Sequence, residues 1–144
     1  MPIKYLPLPR TILLCDYGKG GFVAPEMVKR RPAIVISPRL RHRDDLCTVV
    51  PLSTSGPEHA VPYVVRLDIP GKLPPPFARP VCWAKCDMIA TVGLGRLDLF
   101  RTERDHTGKR KYLTPQIDEA SFDKIKAAIL TALGFLTNLP FDTK

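Results

Sequence analysis

Apolar residues fall in short, β-rich runs along most of this chain, and recur at helical spacing only near its end. T-I-L-L-C-D-Y over 11–17, A-I-V-I-S over 33–37 and L-C-T-V-V-P-L over 46–52 are bounded by proline or charge, which predicts strands. V-P-Y-V-V-R-L-D over 61–68 has an alternating character. V-C-W-A-K-C-D-M-I and A-T-V-G-L-G-R-L-D-L-F, together spanning 81–100, predict further strands, with Gly93 and Gly95 marking a bulge or bend. Phe122, Ile125, Ile129, Ala132, Leu133 and Leu136 form one helical stripe, capped by Asp118 and favoured by Glu119 in the first turn. The helix is expected over about 118–134, with Gly134 weakening its last turn.

Between these runs lie segments that cannot extend the sheet. Residues 18–29 begin with G-K-G-G, which lacks the spacing of a phosphate-binding loop and predicts a mobile flap. I-P-G-K-L-P-P-P-F-A-R-P over 69–80 is too poor in backbone donors for a central strand, so a stiff surface connection is expected over an SH3 ligand. The charged stretch within 98–113 has D-H-T-G as a hairpin tip. The whole predicts a strongly bent antiparallel sheet or small barrel with a C-terminal helix, one domain over residues 1–144. Strand order does not follow from the pattern.

Charge narrows the partners. The 144 residues carry a formal net charge of +8, which favours polyanions such as nucleic acid or a very acidic protein. No leader pattern and no membrane-length apolar run is visible, so a cytoplasmic protein without membrane contact is expected. Cys15 and Cys47 fall inside apolar strands, and Cys82 and Cys86 share a parity along one run. None makes a C-x-x-C knuckle, so reduced structural thiols are expected and no metal site or cofactor is implied.

If the runs at 33–37 and 46–52 pair through the basic turn at 38–45, Arg31 meets Ser53 and Thr54 at one edge of the sheet, with Glu26 upstream. A guanidinium fork, two hydroxyls and a carboxylate suit a phosphodiester. The plainer possibility is a surface Glu26–Arg31 salt bridge beside ordinary turn hydroxyls.

The blocks K-R-R-P-A-I-V-I-S, V-V-P-L-S-T and D-M-I-A-T-V-G-L-G-R-L (87–97) resemble, in order, those of the PemK/MazF toxin endoribonucleases of type II toxin–antitoxin systems. The resemblance covers about residues 10–98 and a final helix, and the charged insertion departs from the shorter members. It implies an SH3-like barrel, a homodimer, an antitoxin partner and metal-independent cleavage of single-stranded RNA through its own 2′-hydroxyl. Arg31 then stabilises the phosphorane, Ser53 takes the place of a family hydroxyl that is usually Thr, Thr54 neighbours it, and Glu26 accepts a proton or orients Arg31. Candidate RNA contacts are Lys29, Arg30, Arg39, Arg41, Arg43, Arg79 and Lys85, with His42 in the same central turn. The alternative class is a non-catalytic toxin or nucleic-acid module of the same fold, for instance one that poisons gyrase by protein contact.

Overall fold

The structure is a computed structural model that describes residues 3–19, 21–69 and 73–135. Three central strands, β1 (Ile12–Asp16), β2 (Arg30–Val35) and β3 (Leu46–Ser53), run antiparallel with β2 in the middle. β4 (Val64–Asp68) and β5 (Val81–Lys85) extend the sheet beyond β3. β6 (Ala90–Gly93) also pairs with β3, while β7 (Leu97–Asp98) pairs with β1. A separate hairpin, β8 (Phe100–Arg104) with β9 (Arg110–Leu113), precedes α1 (Glu119–Ala132). The fold is therefore mainly β with one C-terminal helix.

β3 explains the bend. Its first half, Leu46–Val49, is laddered to β6, and its last two residues, Leu52 and Ser53, are laddered to β5 along the same edge. One strand thus belongs to two diverging ladders and the sheet must curl at Val50–Pro51, where proline supplies no donor. The path β7–β1–β2–β3–β6 comes round almost to its start. β6 and β7 are joined by a 3-10 turn at Leu94–Arg96 and not by ladder hydrogen bonds, so the barrel is not closed. That turn stands where a bulge at Gly93 and Gly95 is expected from sequence.

Both faces of the central strands are dry. Ile12, Leu14, Ile34, Val50 and Leu52 face one core together with Phe122, Ile125 and Ile129 of α1. Leu13, Cys15, Ala33, Val35, Cys47 and Val49 face a second core with Tyr17, Val92 and Leu97. Strands buried on both faces show continuous apolar runs, as these do. Burying each Leu, Ile or Val contributes roughly 1.5–3 kcal/mol. Thiols fit because a neutral Cys behaves as a small hydrophobe. All four are free and buried, and burial pushes Cys15 and Cys82 up to about 11 and Cys86 up to about 12. Cys86 lies in a 3-10 turn after β5, not on the strand with Cys82.

Three local expectations shift. The second central strand spans Arg30–Val35, not 33–37, because pairing with β1 starts at Asp16↔Arg30. Ser37 leaves the ladder, its hydroxyl instead accepting the Thr48 N–H at 3.0 Å. At the helix end the stripe stops at Ile129; Leu133 is exposed, and Leu136 lies outside the described residues. Gly134 adopts φ +82° and terminates the helix, with Phe135 N–H bonded to Leu130 O, so it serves as a C-terminal cap.

Candidate active site

The β2–β3 register builds the site. Pairing of β2 with β3 runs from Val35↔Val49 to Ala33↔Pro51; the same antiparallel count carried two residues past its end would bring Arg31 level with Ser53. Ser53 in turn pairs with Trp83 of β5. Residues directly opposite share a face, so Ser53 and Trp83 stand side by side at the open edge of the sheet, the end at which β2 carries Arg31.

Each member is held by its own local chemistry. Arg31 is half-buried and donates Nε to the Val28 carbonyl at 3.0 Å, which leaves the terminal nitrogens of its fork for another acceptor. The Ser53 hydroxyl accepts the Ser55 N–H at 3.1 Å, closing a tight serine turn whose hydroxyl proton is still available to donate. Thr54 is exposed at the tip of that turn. Gly56 lies flat on the indole of Trp83: a Cβ there would come within 3.0 Å of the ring atoms Cε2 and Cζ2. Trp83 therefore props the hydroxyl turn, a role that the sequence reading missed. Its only signal was being the single tryptophan of the chain.

Glu26 stands apart. Its Oε1 accepts the Val23 N–H at 2.9 Å within a short turn, and no Glu26–Arg31 ion pair exists among the described residues. The expectation that Glu26 orients Arg31 is corrected: the Val28 carbonyl does so. The loop carrying Glu26 is pinned by Arg96, the arginine of the third sequence block. Arg96 donates Nη1 to Asp16 O at 3.0 Å and lies 4.9 Å from the Phe22 ring centre; Phe22 meets Tyr17 edge-on. The mobile flap of the sequence reading is thus anchored at one point. Tyr17 is fully buried beside Cys15, and burial holds its hydroxyl protonated far above the usual range.

Behind the hydroxyl turn lies a recess of about 260 Å³, walled by Pro32, Leu52, Phe77 and Cys82, with Thr54 and Arg79 among its lining residues. Arg79 thus lines the same recess as the hydroxyl pair. Lys29, at φ 74°, and Arg30 immediately precede Arg31 in the chain, and Arg30 reaches Asp98 at 3.4 Å. Lys85 lines a different recess with Glu58, His59 and Asp87.

The central turn lies away from this edge. Arg31 and Ser53 occupy the open end of the β2–β3 hairpin, so residues 38–45 lie at its closed end, roughly 20 Å away at about 3.3 Å per residue. The chain there is not extended: His42 has φ 64° and Arg43 N–H bonds to Leu40 O at 3.2 Å. Arg39 donates to Leu6 O at 2.8 Å and binds the N-terminal arm. Among the described residues, no cluster of His, Cys, Asp and Glu is placed to hold a metal ion, and no helix is long and apolar enough to cross a membrane.

Residues 9–133 match the family of PemK-like, MazF-like toxins of type II toxin–antitoxin systems, and the chain belongs to that family. It is 27% identical over 123 residues to the Escherichia coli (strain K12) protein YifN, covering 74% of this chain and 81% of that one. Among solved structures, a mycobacterial endoribonuclease in complex with its cognate antitoxin is similar in fold, with a TM-score of 0.57 and 23% identity. That likeness covers 90% of this chain and 97% of the other. The Mycobacterium tuberculosis toxin MazF-mt6 gives a TM-score of 0.56 at 16% identity, covering 86% of this chain and 96% of its own. MazF from Deinococcus radiodurans gives 0.55 at 17% identity, covering 90% and 98%.

Proposed function

We propose that this toxin is an endoribonuclease that cleaves single-stranded RNA without a metal ion, at the edge where Arg31 and Ser53 face each other. The β2–β3 register, observed to Ala33↔Pro51 and pointing on to Arg31 opposite Ser53, is what supports the reading. RNA supplies its own nucleophile: the ribose 2′-oxygen forms a bond to the adjacent phosphorus as the bond to the 5′-oxygen breaks. The 2′-hydroxyl gives its proton to water and the 5′-oxygen takes one from water, leaving 2′,3′-cyclic phosphate and 5′-hydroxyl ends.

Arg31 meets the negative charge that develops on the phosphorane oxygens with a fork already fixed by Val28. Ser53 donates its hydroxyl proton to a phosphate oxygen, with Thr54 next to it at the tip of the turn. Single strands are favoured as substrate because their unstacked bases can be splayed into recesses beside the site. An antitoxin with an acidic segment covering the basic edge, and a homodimer, complete the reading; a mycobacterial structural neighbour is an endoribonuclease bound to its cognate antitoxin.

Incubating the purified protein with a mixed RNA pool in excess EDTA, then mapping the ends, tests this. Cyclic phosphate and 5′-hydroxyl ends are expected. Intact RNA, or 5′-phosphate ends that appear only with Mg²⁺, would refute it.

A further inference from the structure

The recess behind Ser53 and Thr54 does not end at Phe77. A second recess of about 210 Å³ opens on the other side of the same wall, sharing Pro76 and Phe77 with the first and lined by Arg30, Phe100 and Arg101. Phe77 is braced edge-on against the buried Phe100 ring, 6.0 Å between centroids. The wall is therefore backed by the core.

Two guanidiniums face this second recess and one carboxylate aligns them. Asp98 Oδ2 takes Arg30 Nη2 at 3.4 Å and Arg101 Nη2 at 3.5 Å, while Oδ1 accepts the Leu99 N–H at 2.8 Å. The carboxylate is mostly buried and each arginine side chain is about half exposed, 49% for Arg30 and 42% for Arg101. The remaining N–H groups of both forks have no partner among the described residues. Two positive charges held by one negative charge leave a net positive site with its donors set in place, which suits a phosphate oxygen.

The hairpin extends the same line. Arg101 pairs in register with Tyr112, so both lie on one face of β8–β9, and Tyr112 is 45% exposed. An exposed aromatic next to a guanidinium is the pairing with which proteins hold a base and its phosphate on single strands.

We propose that the β8–β9 hairpin makes a second single-strand subsite, in which Arg30 and Arg101 hold a phosphate outside the scissile one and Tyr112 stacks the adjoining base. The subsite rests on the RNA reading of the Arg31–Ser53 edge and lengthens it: the strand leaves Ser53 past the Phe77 wall and runs onto the hairpin. The charged insertion thereby acquires a ligand, the backbone of single-stranded RNA.

The test uses binding of a long single-stranded analogue, 2′-deoxy at the cleaved position, across a salt series, for the wild type, Arg101→Gln, Arg101→Lys and Tyr112→Ala. Arg101→Gln should lower the salt slope by about 0.7, the share of one phosphate contact on a single strand, and Arg101→Lys should restore it. Tyr112→Ala should weaken binding about fivefold or more with the slope unchanged. Neither change should alter cleavage of an oligonucleotide too short to pass Phe77. A wild-type slope and affinity in both Arg101→Gln and Tyr112→Ala would overturn the subsite. So would a loss confined to an acidic peptide probe, which would assign the face to a protein partner. If the wild type binds the analogue but cuts no RNA, the nuclease reading fails, and the slopes still decide the subsite.

Discussion

The Arg96 guanidinium lies over the Phe22 ring, 4.9 Å from its centre, while its Nη1 donates to the Asp16 carbonyl. One side chain thus joins the 3-10 turn between β6 and β7 to the loop that carries Glu26. A cation over an aromatic face is worth about 0.5–1 kcal/mol at a site like this, and the carbonyl bond about 1 kcal/mol. Arg96→Ala should therefore lower stability by about 1.5–2 kcal/mol and make residues 18–29 more sensitive to protease. Urea unfolding and limited proteolysis check this; wild-type cleavage of the loop would show that Arg96 does not hold it.

Gly56 and Trp83 make a sharper case. Ala at 56 places its Cβ within 3.0 Å of the indole, so either the ring or the Ser53–Gly56 turn must move. Overpacking of this kind costs about 1–3 kcal/mol, and a displaced catalytic group costs up to about 10²-fold in rate. Gly56→Ala should stay folded and lose cleavage by a factor of about 10–100. Trp83→Phe, which shortens the ring and relieves the contact, should recover part of the loss in the double variant. Equal activity in wild type and Gly56→Ala would mean that the turn does not position the reaction.

Buried thiols set the alkaline limit. An unfolded Cys ionises near about 8.5, whereas Cys15 and Cys82 hold their protons to about 11 and Cys86 to about 12. Above pH 8.5 the unfolded chain therefore binds fewer protons than the folded one, and stability falls as pH rises toward 11–12. The slope is up to about 1.4 kcal/mol per pH unit for each thiol. Replacing Cys82 with Ala should flatten the fall measured by urea unfolding between pH 8.5 and 10.5. Iodoacetamide at pH 8 should leave native protein unmodified at Cys15, Cys47, Cys82 and Cys86 and label all four in urea.

The strands and helix were legible because their apolar runs are short, dense in Val, Ile and Leu, and punctuated by proline and glycine. The antiparallel pairing of 33–37 with 46–52 was legible as well, and it is observed from Val35↔Val49 to Ala33↔Pro51, even though β2 starts three residues earlier than its apolar run. What remained hidden depends on tertiary contact. Nothing local marks Trp83 as the floor of the hydroxyl turn, or Asp98 as the anion shared by Arg30 and Arg101. The path of the central turn was hidden too, because His42 enters the left-handed region and folds the chain between Arg41 and Arg43. The Glu26–Arg31 pair failed for a similar reason: Val23 N–H and Val28 O, both nearer in chain, satisfy the two side chains first.

The position of that turn yields a further expectation. Since residues 38–45 lie at the closed end of the hairpin, neutralising Arg41 and Arg43 to Gln should leave the salt slope of binding to a short oligonucleotide at its wild-type value. Arg79→Gln, in the recess that Thr54 also lines, should lower the slope by about 0.7. The reverse ranking would place the RNA along the far end of the sheet.

Arg31 carries the central claim, and its contribution can be read in one number: the single-turnover rate at which Arg31→Ala cleaves an RNA oligonucleotide in EDTA, relative to wild type. Loss of a preorganised donor to the developing charge predicts a drop of about 10²–10³-fold, with the thermal midpoint little changed because the side chain is only half-buried. Arg31→Lys should recover little of it, since a point charge lacks the planar fork. A folded Arg31→Ala protein that cuts within about twofold of the wild-type rate would contradict the account, and the reacting phosphate would lie elsewhere on the molecule.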